Sequence, residues 1–246
     1  MPKISELLKS NVNRLIAINI VTYFLIEAFF AGQRSGFELF YWKSPEFNFW
    51  QPFTYMFLHG NVMPHLAFNM FALWSFGRVL EQVWGIKRFL IFYLVCGVGA
   101  AIVHEVVTQI QFQGLYEQLL SGGLTFSQIE NILLTGRDVS ANYPLISREI
   151  LSEFYHLYHT PTVGASGAVY GILVAFALLF PNFKVMLIFL PVPIAAKYFV
   201  PVLLLIDLMA GVTGFSIFGG NIAHFAHIGG AVAGFVLLLY WMRQNR

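Results

Sequence analysis

Four polar residues stand out in this sequence because each lies in an apolar segment and could take part in acyl transfer. Ser166 lies among glycines and alanines in the stretch TVGASGAVYG, residues 162–171. His65 and Asn69 lie four residues apart in a second apolar stretch, and His227 lies in a third. A serine becomes a nucleophile when an imidazole accepts its proton at about 2.6–3.2 Å, and nearby donors stabilise the resulting oxyanion. The fold must bring these side chains together for that chemistry.

Each of these residues also has a structural interpretation. Serine is common where membrane helices touch, and His65 with Asn69 could form a hydrogen-bonded pair between helices. His227 could be an interior histidine whose hydrogen bonds are satisfied. His224 favours a structural or cavity-lining role, and His59 is expected at the membrane interface.

The composition predicts a membrane protein without a nucleic-acid partner. The 246 residues are 58% hydrophobic and 11% charged, whereas about 25% is usual for charged residues in soluble domains. The net charge is +2, and no basic cluster with interleaved aromatic residues is present. The single cysteine, Cys96, cannot form an internal disulfide.

Six apolar segments are candidates to cross a hydrocarbon core of about 30 Å. These predicted spans are residues 14–31, 63–83, 88–107, 164–180, 198–214 and 222–242. Three prolines interrupt the stretch before the fifth span, so residues 181–197 are predicted to be an interfacial connection. The sequence therefore predicts an all-α, polytopic membrane protein with a single domain over residues 1–246.

The basic residues predict the orientation of these spans. One side carries Lys3, Lys9, Arg14, Arg78, Lys87, Arg88, Lys184, Lys197, Arg243 and Arg246. The other side carries Arg34, Lys43, Arg137 and Arg148. By the positive-inside rule both termini are expected in the cytoplasm. The expected location is the plasma membrane, here a bacterial inner membrane. The aromatic segment 32–62 is then an interfacial first outer loop, and residues 108–161 form a long outer loop with helix near residues 124–134.

The second, fourth and sixth spans all run inward, so their polar residues lie at a similar depth. Ser166 and Tyr170 are four apart and share a helix face. Small residues at similar spacing allow neighbouring membrane helices to approach closely. Such residues are Gly164, Gly167 and Gly171 in the fourth span, and Ala226, Gly230 and Gly234 in the sixth. Such contact is what Ser166 needs to reach His227.

Four motifs in this order resemble the rhomboid intramembrane serine proteases over essentially the whole chain. They are H-x-x-x-N at residues 65–69, LEQVWGIKRF at 80–89, G-x-S-G at 164–167 and A-H-x-x-G at 226–230. The resemblance implies a rhomboid-like bundle of six transmembrane helices. It also implies a dyad without an acid, in which Ser166 is the nucleophile and His227 the general base.

The same resemblance assigns the surrounding residues. His65, Asn69 and the Ser166 backbone N–H would bind the oxyanion, and Tyr170 would pack against the ring of His227 and orient it. The implied activity is an intramembrane serine endopeptidase that cleaves membrane-anchored proteins in or near their transmembrane segments. Its expected partners are transmembrane protein substrates and the lipid bilayer, and no cofactor or metal is expected.

Two alternatives remain at this stage. A rhomboid-like pseudoprotease would bind membrane clients without cleaving them, although such relatives generally lack the serine or histidine present here. A metal-dependent membrane enzyme or transporter could use His59, His65, His224 and His227, because imidazole suits zinc. The stretch that begins His104-Glu105 lacks the second histidine of the H-E-x-x-H zinc motif.

Six further ionisable residues have no role in catalysis at this stage. Glu27, Glu105 and Asp207 have no assigned partner, and Arg78, Glu81 and Arg88 are expected to be a structural tie.

Overall fold

The computed structural model describes residues 9–30, 36–60, 63–187, 190–214 and 223–244, and these are mostly helical. The helices are α1 (Asn11–Phe30), α2 (Gln51–Thr54), α3 (Met63–Ala72), α4 (Arg78–Ser121), α5 (Phe126–Thr135), α6 (Arg148–His159), α7 (Ser166–Leu179), α8 (Ala196–Thr213) and α9 (His224–Gln244). Short 3₁₀ turns cover Tyr55–Phe57 and Ser140–Asn142, and a π-helical turn, Leu73–Gly77, joins α3 to α4.

Four helical runs in these ranges are long and apolar enough to cross a membrane. They are Asn11–Phe30, Met63–Ser121, Ala196–Thr213 and His224–Gln244, while Ser166–Leu179 is apolar but shorter. The 59-residue run contains the second and third predicted spans. Gly85, with φ 78° and ψ 167°, breaks it between those two spans. Six crossings therefore remain a prediction.

The corner at Gly85 is fastened to the start of α1. Only glycine readily adopts so large a positive φ. The nearby Glu81 carboxylate accepts hydrogen bonds from the Ser10 hydroxyl and, at 2.6 Å, from the Asn11 backbone N–H. A carboxylate at a helix N-terminus satisfies free N–H groups and complements the helix dipole. Glu81 is thus a tie between α1 and α4.

The structure is mostly helical but not entirely α, because residues 181–197, predicted to be an interfacial connection, contain an antiparallel hairpin. In it β1 (Lys184–Leu187) pairs with β2 (Leu190–Ala195). A two-stranded ribbon has only edge strands, and an edge tolerates prolines because one side of each strand needs no N–H donor. The short prolyl segment can therefore be a strand, and α8 begins directly after it at Ala196.

The centre of the molecule is the contact between α4, α7 and α9, where glycines replace side chains. A β-carbon added at Gly230 would collide with the carbonyl oxygen of Gly167. One added at Gly234 would lie 2.8 Å from the Cα of Gly171, and one at Gly229 would lie 3.0 Å from the carbonyl oxygen of Gly99. The three backbones therefore touch at the level of Ser166 and His227.

The end of α4 carries a small cap with its own apolar core, named the outer cap here after the predicted outer location of residues 108–161. The predicted helix near residues 124–134 is present as α5, which begins with a capping box of Thr125 and Gln128. Helices α5 and α6 pack against the last turns of α4 through buried residues that include Phe112, Leu119, Ile129 and Phe154.

The described part of the segment predicted to be the first outer loop, residues 36–60, is hydrogen-bonded to α4 and to the segment before α7. The Trp42 backbone N–H donates to Glu105 at 2.9 Å, and the Tyr41 hydroxyl donates to Gln109 at 2.6 Å. Leu39 and Thr162 exchange both backbone hydrogen bonds. The chain that leads into Ser166 is therefore fixed by this loop.

Candidate active site

Ser166 is presented at the first turn of α7 by a glycine with a positive φ. Gly164 has φ 130°, and a β-carbon there would lie 2.9 Å from Cε1 of His65. Its N–H donates to the carbonyl oxygen of Tyr55 at 3.0 Å. Only glycine fits this position, and the turn leaves the Ser166 side chain half-buried at the helix start. The first backbone N–H groups of a helix have no partner within it, so they can donate to a bound oxyanion.

The structure brings Ser166 and His227 into hydrogen-bonding distance. The Oγ of Ser166 lies 2.8 Å from Nε2 of His227, which is buried in α9. This contact is possible because Gly167 and Gly230 remove side chains from the crossing of α7 and α9. If Nδ1 of His227 carries the proton, Nε2 is free to accept the hydroxyl proton of Ser166.

Tyr170 lies one helical turn after Ser166 and covers the His227 ring. The two ring centroids are 4.2 Å apart and their planes differ by 10°. The Tyr170 hydroxyl donates a hydrogen bond to Oδ2 of Asp207 in α8. Tyr170 therefore restrains the imidazole through its ring and contacts a carboxylate through its hydroxyl.

Asp207 is the site residue that sequence reasoning missed. Its Oδ1 lies 3.1 Å from Nδ1 of His227 and 2.5 Å from Nδ1 of His224. Asp207 belongs to α8 and is distant from Ser166 and His227 in the sequence, so the sequence alone shows no acid beside either residue. The available signal was a lone carboxylate in an apolar segment, which is costly in a membrane without a partner. The sequence flags that residue but does not name what it touches.

His65 borders the glycine that precedes Ser166, whereas Asn69 is hydrogen-bonded to the backbone of its own helix. A β-carbon added at Gly164 would lie 3.0 Å from Nε2 of His65 and 3.6 Å from Oγ of Ser166, so both side chains border Gly164. Asn69 is buried, and its amide donates to the backbone carbonyl of His65 at 2.9 Å. That bond uses one of the two N–H groups of Asn69.

His59 is buried inside the protein, and its predicted place at the membrane interface stays a prediction. Its side chain is 2% exposed, and its ring centroid lies 5.2 Å from that of His65. Neither ring nitrogen has a hydrogen-bond partner among the described residues. Burial, with a smaller contribution from His65, lowers the pKa of His59 from 6.5 to about 3. It therefore stays neutral near pH 7.

The histidines do not gather into the four-residue metal site that the sequence suggested. Within the described ranges, the group with three possible ligands is Asp207, His224 and His227, whose ligand atoms lie within 4.8 Å of one another. These atoms already hydrogen-bond to each other. His104 is not one of these three residues and hydrogen-bonds to Thr162 at 2.9 Å.

Comparisons with known proteins identify the family of this chain. A rhomboid domain model matches residues 46–124 and 142–244, which include Ser166, His227 and Asp207. The chain is 28% identical to Rhomboid protein 1, mitochondrial, of Saccharomyces cerevisiae over 170 residues, 69% of this chain and 36% of that protein. It is 29% identical to Rhomboid protease GluP of Bacillus subtilis over 145 residues, 53% of this chain and 27% of that protein.

The chain thus spans about a third of the length of these relatives. The family model nevertheless covers most of this chain and leaves out residues 125–141, which lie in the outer cap. Together with the long apolar helices, the match indicates a multi-pass membrane protein. The chain belongs to the rhomboid family.

Proposed function

We propose that this protein is an intramembrane serine endopeptidase that uses Ser166 as nucleophile and His227 as general base. The observation that carries the proposal is the 2.8 Å contact between Oγ of Ser166 and Nε2 of His227. That distance is within the range for proton transfer to a base. One relative, of Bacillus subtilis, is a rhomboid protease, which supports the same reaction class.

The chemistry follows from this geometry. Oγ of Ser166 attacks the carbonyl carbon of a peptide bond while Nε2 of His227 takes the hydroxyl proton. The imidazolium then gives that proton to the leaving amine nitrogen, which leaves an acyl ester on Ser166. Water attacks the ester, His227 takes a proton from the water, and that proton returns to Oγ as the acid product leaves.

The oxyanion of each tetrahedral intermediate needs preorganised donors. The Ser166 N–H, the His65 imidazole and the second N–H of the Asn69 amide are the donors that we propose. Loss of one such donor typically lowers kcat by about 10²–10³. Because Asn69 donates to a backbone carbonyl in this structure, its contribution requires either that second N–H or a turn of the amide when substrate binds.

The proposed substrates are proteins anchored by transmembrane segments, since the site lies among apolar helices that lipid would surround. A regular helix hides its carbonyl groups in its own hydrogen bonds, so a substrate must unwind near the cleaved bond. We further propose six membrane crossings, both termini in the cytoplasm of a bacterial cell, and a site that opens toward the outer side.

The decisive experiment compares Ser166→Ala and His227→Gln with the wild type on a transmembrane model substrate in liposomes. Both variants are expected to lose cleavage and fluorophosphonate labelling at residue 166 while retaining wild-type thermal unfolding. Ser152→Ala and His156→Gln, at exposed positions in α6, are matched controls and are expected to keep full activity. Normal turnover by either site variant would contradict the proposal.

The cluster of Asp207, His224 and His227 makes a metal-dependent activity the second candidate. A zinc hydrolase would lose activity with a strong chelator and regain it with added zinc. We expect cleavage by the wild type to survive chelation, with no metal found by elemental analysis. A client-binding pseudoprotease would show neither cleavage nor serine labelling.

A further inference from the structure

We propose that Asp207 is a positioning residue for the reaction, so that the site operates as Ser166–His227–Asp207 rather than as a dyad. This inference rests on the proposed function and concerns the same site. It is carried by the contact between Oδ1 of Asp207 and Nδ1 of His227 at 3.1 Å, on the opposite side of the ring from Ser166.

The burial of Asp207 is the first argument. Within α8 few side chains are buried, namely Ala196, Val200, Asp207 and Ala210. A carboxylate in such a position is expensive unless hydrogen bonds compensate it. Helix α8 is otherwise mostly exposed, yet its one acidic side chain, Asp207, is buried and faces His227.

The donors around the carboxylate are the second argument. Oδ2 accepts from the Tyr170 hydroxyl, and Oδ1 faces Nδ1 of both His224 and His227. An ionised carboxylate only accepts hydrogen bonds. Each Nδ1 that faces it must therefore carry a proton, which leaves Nε2 of His227 unprotonated and able to accept from Ser166.

The electrostatic role follows from the same contact. When His227 takes the proton of Ser166, its ring becomes positively charged, and the carboxylate of Asp207 lies against the Nδ1–H of that ring. In the Ser-His-Asp arrangement an aspartate holds the imidazole in the correct tautomer and stabilises the imidazolium without itself being protonated. Asp207 has the position required for both effects.

The substitution Asp207→Asn tests this role because an amide offers only one acceptor oxygen. With Tyr170 donating to that oxygen, the NH₂ group faces the histidines and donates to Nδ1 of His227. His227 must then carry its proton on Nε2 and cannot accept the proton of Ser166. We expect kcat to fall by about 10³–10⁴, as for a wrong tautomer, with a small change in KM.

The readout that separates positioning from a structural role is the tautomer of His227. ¹⁵N-histidine NMR, assigned by comparison with His227→Gln, is expected to show a protonated Nδ1 in the wild type and a protonated Nε2 in Asp207→Asn. Asp207→Glu, which keeps the acceptor, is expected to retain more activity than Asp207→Asn. The control Asp138→Asn changes an exposed carboxylate of the outer cap and is expected to change neither measurement.

The outcomes distinguish this inference from the function on which it rests. If Ser166→Ala is inactive but Asp207→Asn keeps wild-type kcat, the positioning role is wrong and the dyad stands. If Ser166→Ala is active, the proposed function itself is wrong. If Asp207→Asn does not fold, the wild-type spectrum decides, because a protonated Nε2 on His227 in the wild type would overturn the inference.

Discussion

At the scale of single residues, the site is defined by which polar atoms have partners. Ser166, Tyr170, Asp207 and His227 form one connected set of hydrogen bonds and ring contacts. His59 lies nearby and differs, since both of its ring nitrogens are buried without a partner in the described structure. A buried histidine without partners is stable only while it is neutral.

His59 therefore predicts acid sensitivity of the fold. Its folded-state pKa of about 3 lies below the ordinary 6.5, so the unfolded chain binds the proton first as the pH falls. We expect the free energy of unfolding in detergent to decrease as the pH drops from about 6.5 toward 3, by up to about 1.4 kcal/mol per pH unit. His59→Phe is expected to flatten this dependence.

The measurement is denaturant or thermal unfolding at several pH values. His156→Phe removes an exposed histidine of α6 and is expected to keep the wild-type slope. An unchanged slope in His59→Phe would show that other groups cause the acid sensitivity.

Some residue contacts of the site could be predicted from the sequence, and others could not. The contact between Ser166 and His227 could be predicted because the small residues that permit it lie at regular spacing on either side. Asp207 could not be paired with His227 in advance, because its position depends on how α8 packs after a hairpin that the pattern did not reveal. The burial of His59 likewise depends on tertiary packing of a segment without helical periodicity.

At the scale of elements, backbone contact between α7 and α9 sets the distance between Ser166 and His227. Gly230 is the tightest point, since any β-carbon there would collide with the carbonyl group of Gly167. A backbone carbonyl cannot rotate away as a side chain can. The two helices would have to separate to accommodate even one methyl group.

Gly230→Ala is accordingly expected to lower both stability and cleavage. Overpacking typically costs about 1–3 kcal/mol, and the helix separation would also lengthen the contact between Ser166 and His227. The measurements are thermal unfolding and the rate of fluorophosphonate labelling.

Gly114→Ala is the matched control, because a β-carbon at Gly114 in α4 meets nothing within 4 Å. This change is expected to be neutral or to stabilise the helix by about 0.5–1 kcal/mol. If the two alanine variants behave alike, close approach at Gly230 does not govern the site.

At the scale of the whole molecule, the long α4 joins the apolar bundle to the outer cap. From Gly85 to Ser121 it is about 54 Å long at 1.5 Å per residue, well beyond a hydrocarbon core of about 30 Å. Its upper part holds the first outer loop through Glu105 and Gln109. The loop in turn exchanges hydrogen bonds with the segment before Ser166.

Gln109→Ala is expected to loosen the first loop, because the Gln109 side chain accepts from both the Tyr41 hydroxyl and the Trp42 indole. Loss of two hydrogen bonds of about 0.5–1.5 kcal/mol each is expected to raise hydrogen exchange in residues 36–60 by about tenfold or more. Gln113→Ala is the matched control, since Gln113 accepts a hydrogen bond from Gln109 one turn earlier. Equal exchange in both variants would contradict this role of Gln109.

One carboxylate connects three helices, and this has a consequence for how a substrate can enter. Asp207 belongs to α8, whereas its partners Tyr170 and His227 belong to α7 and α9. An outward shift of α8 by about 0.5 Å would already stretch the 3.1 Å contact beyond hydrogen-bonding range. Under the proposed function, an opening between α8 and α9 would therefore separate Asp207 from His227, and the imidazole would lose its positioning partner for as long as the two helices stayed apart.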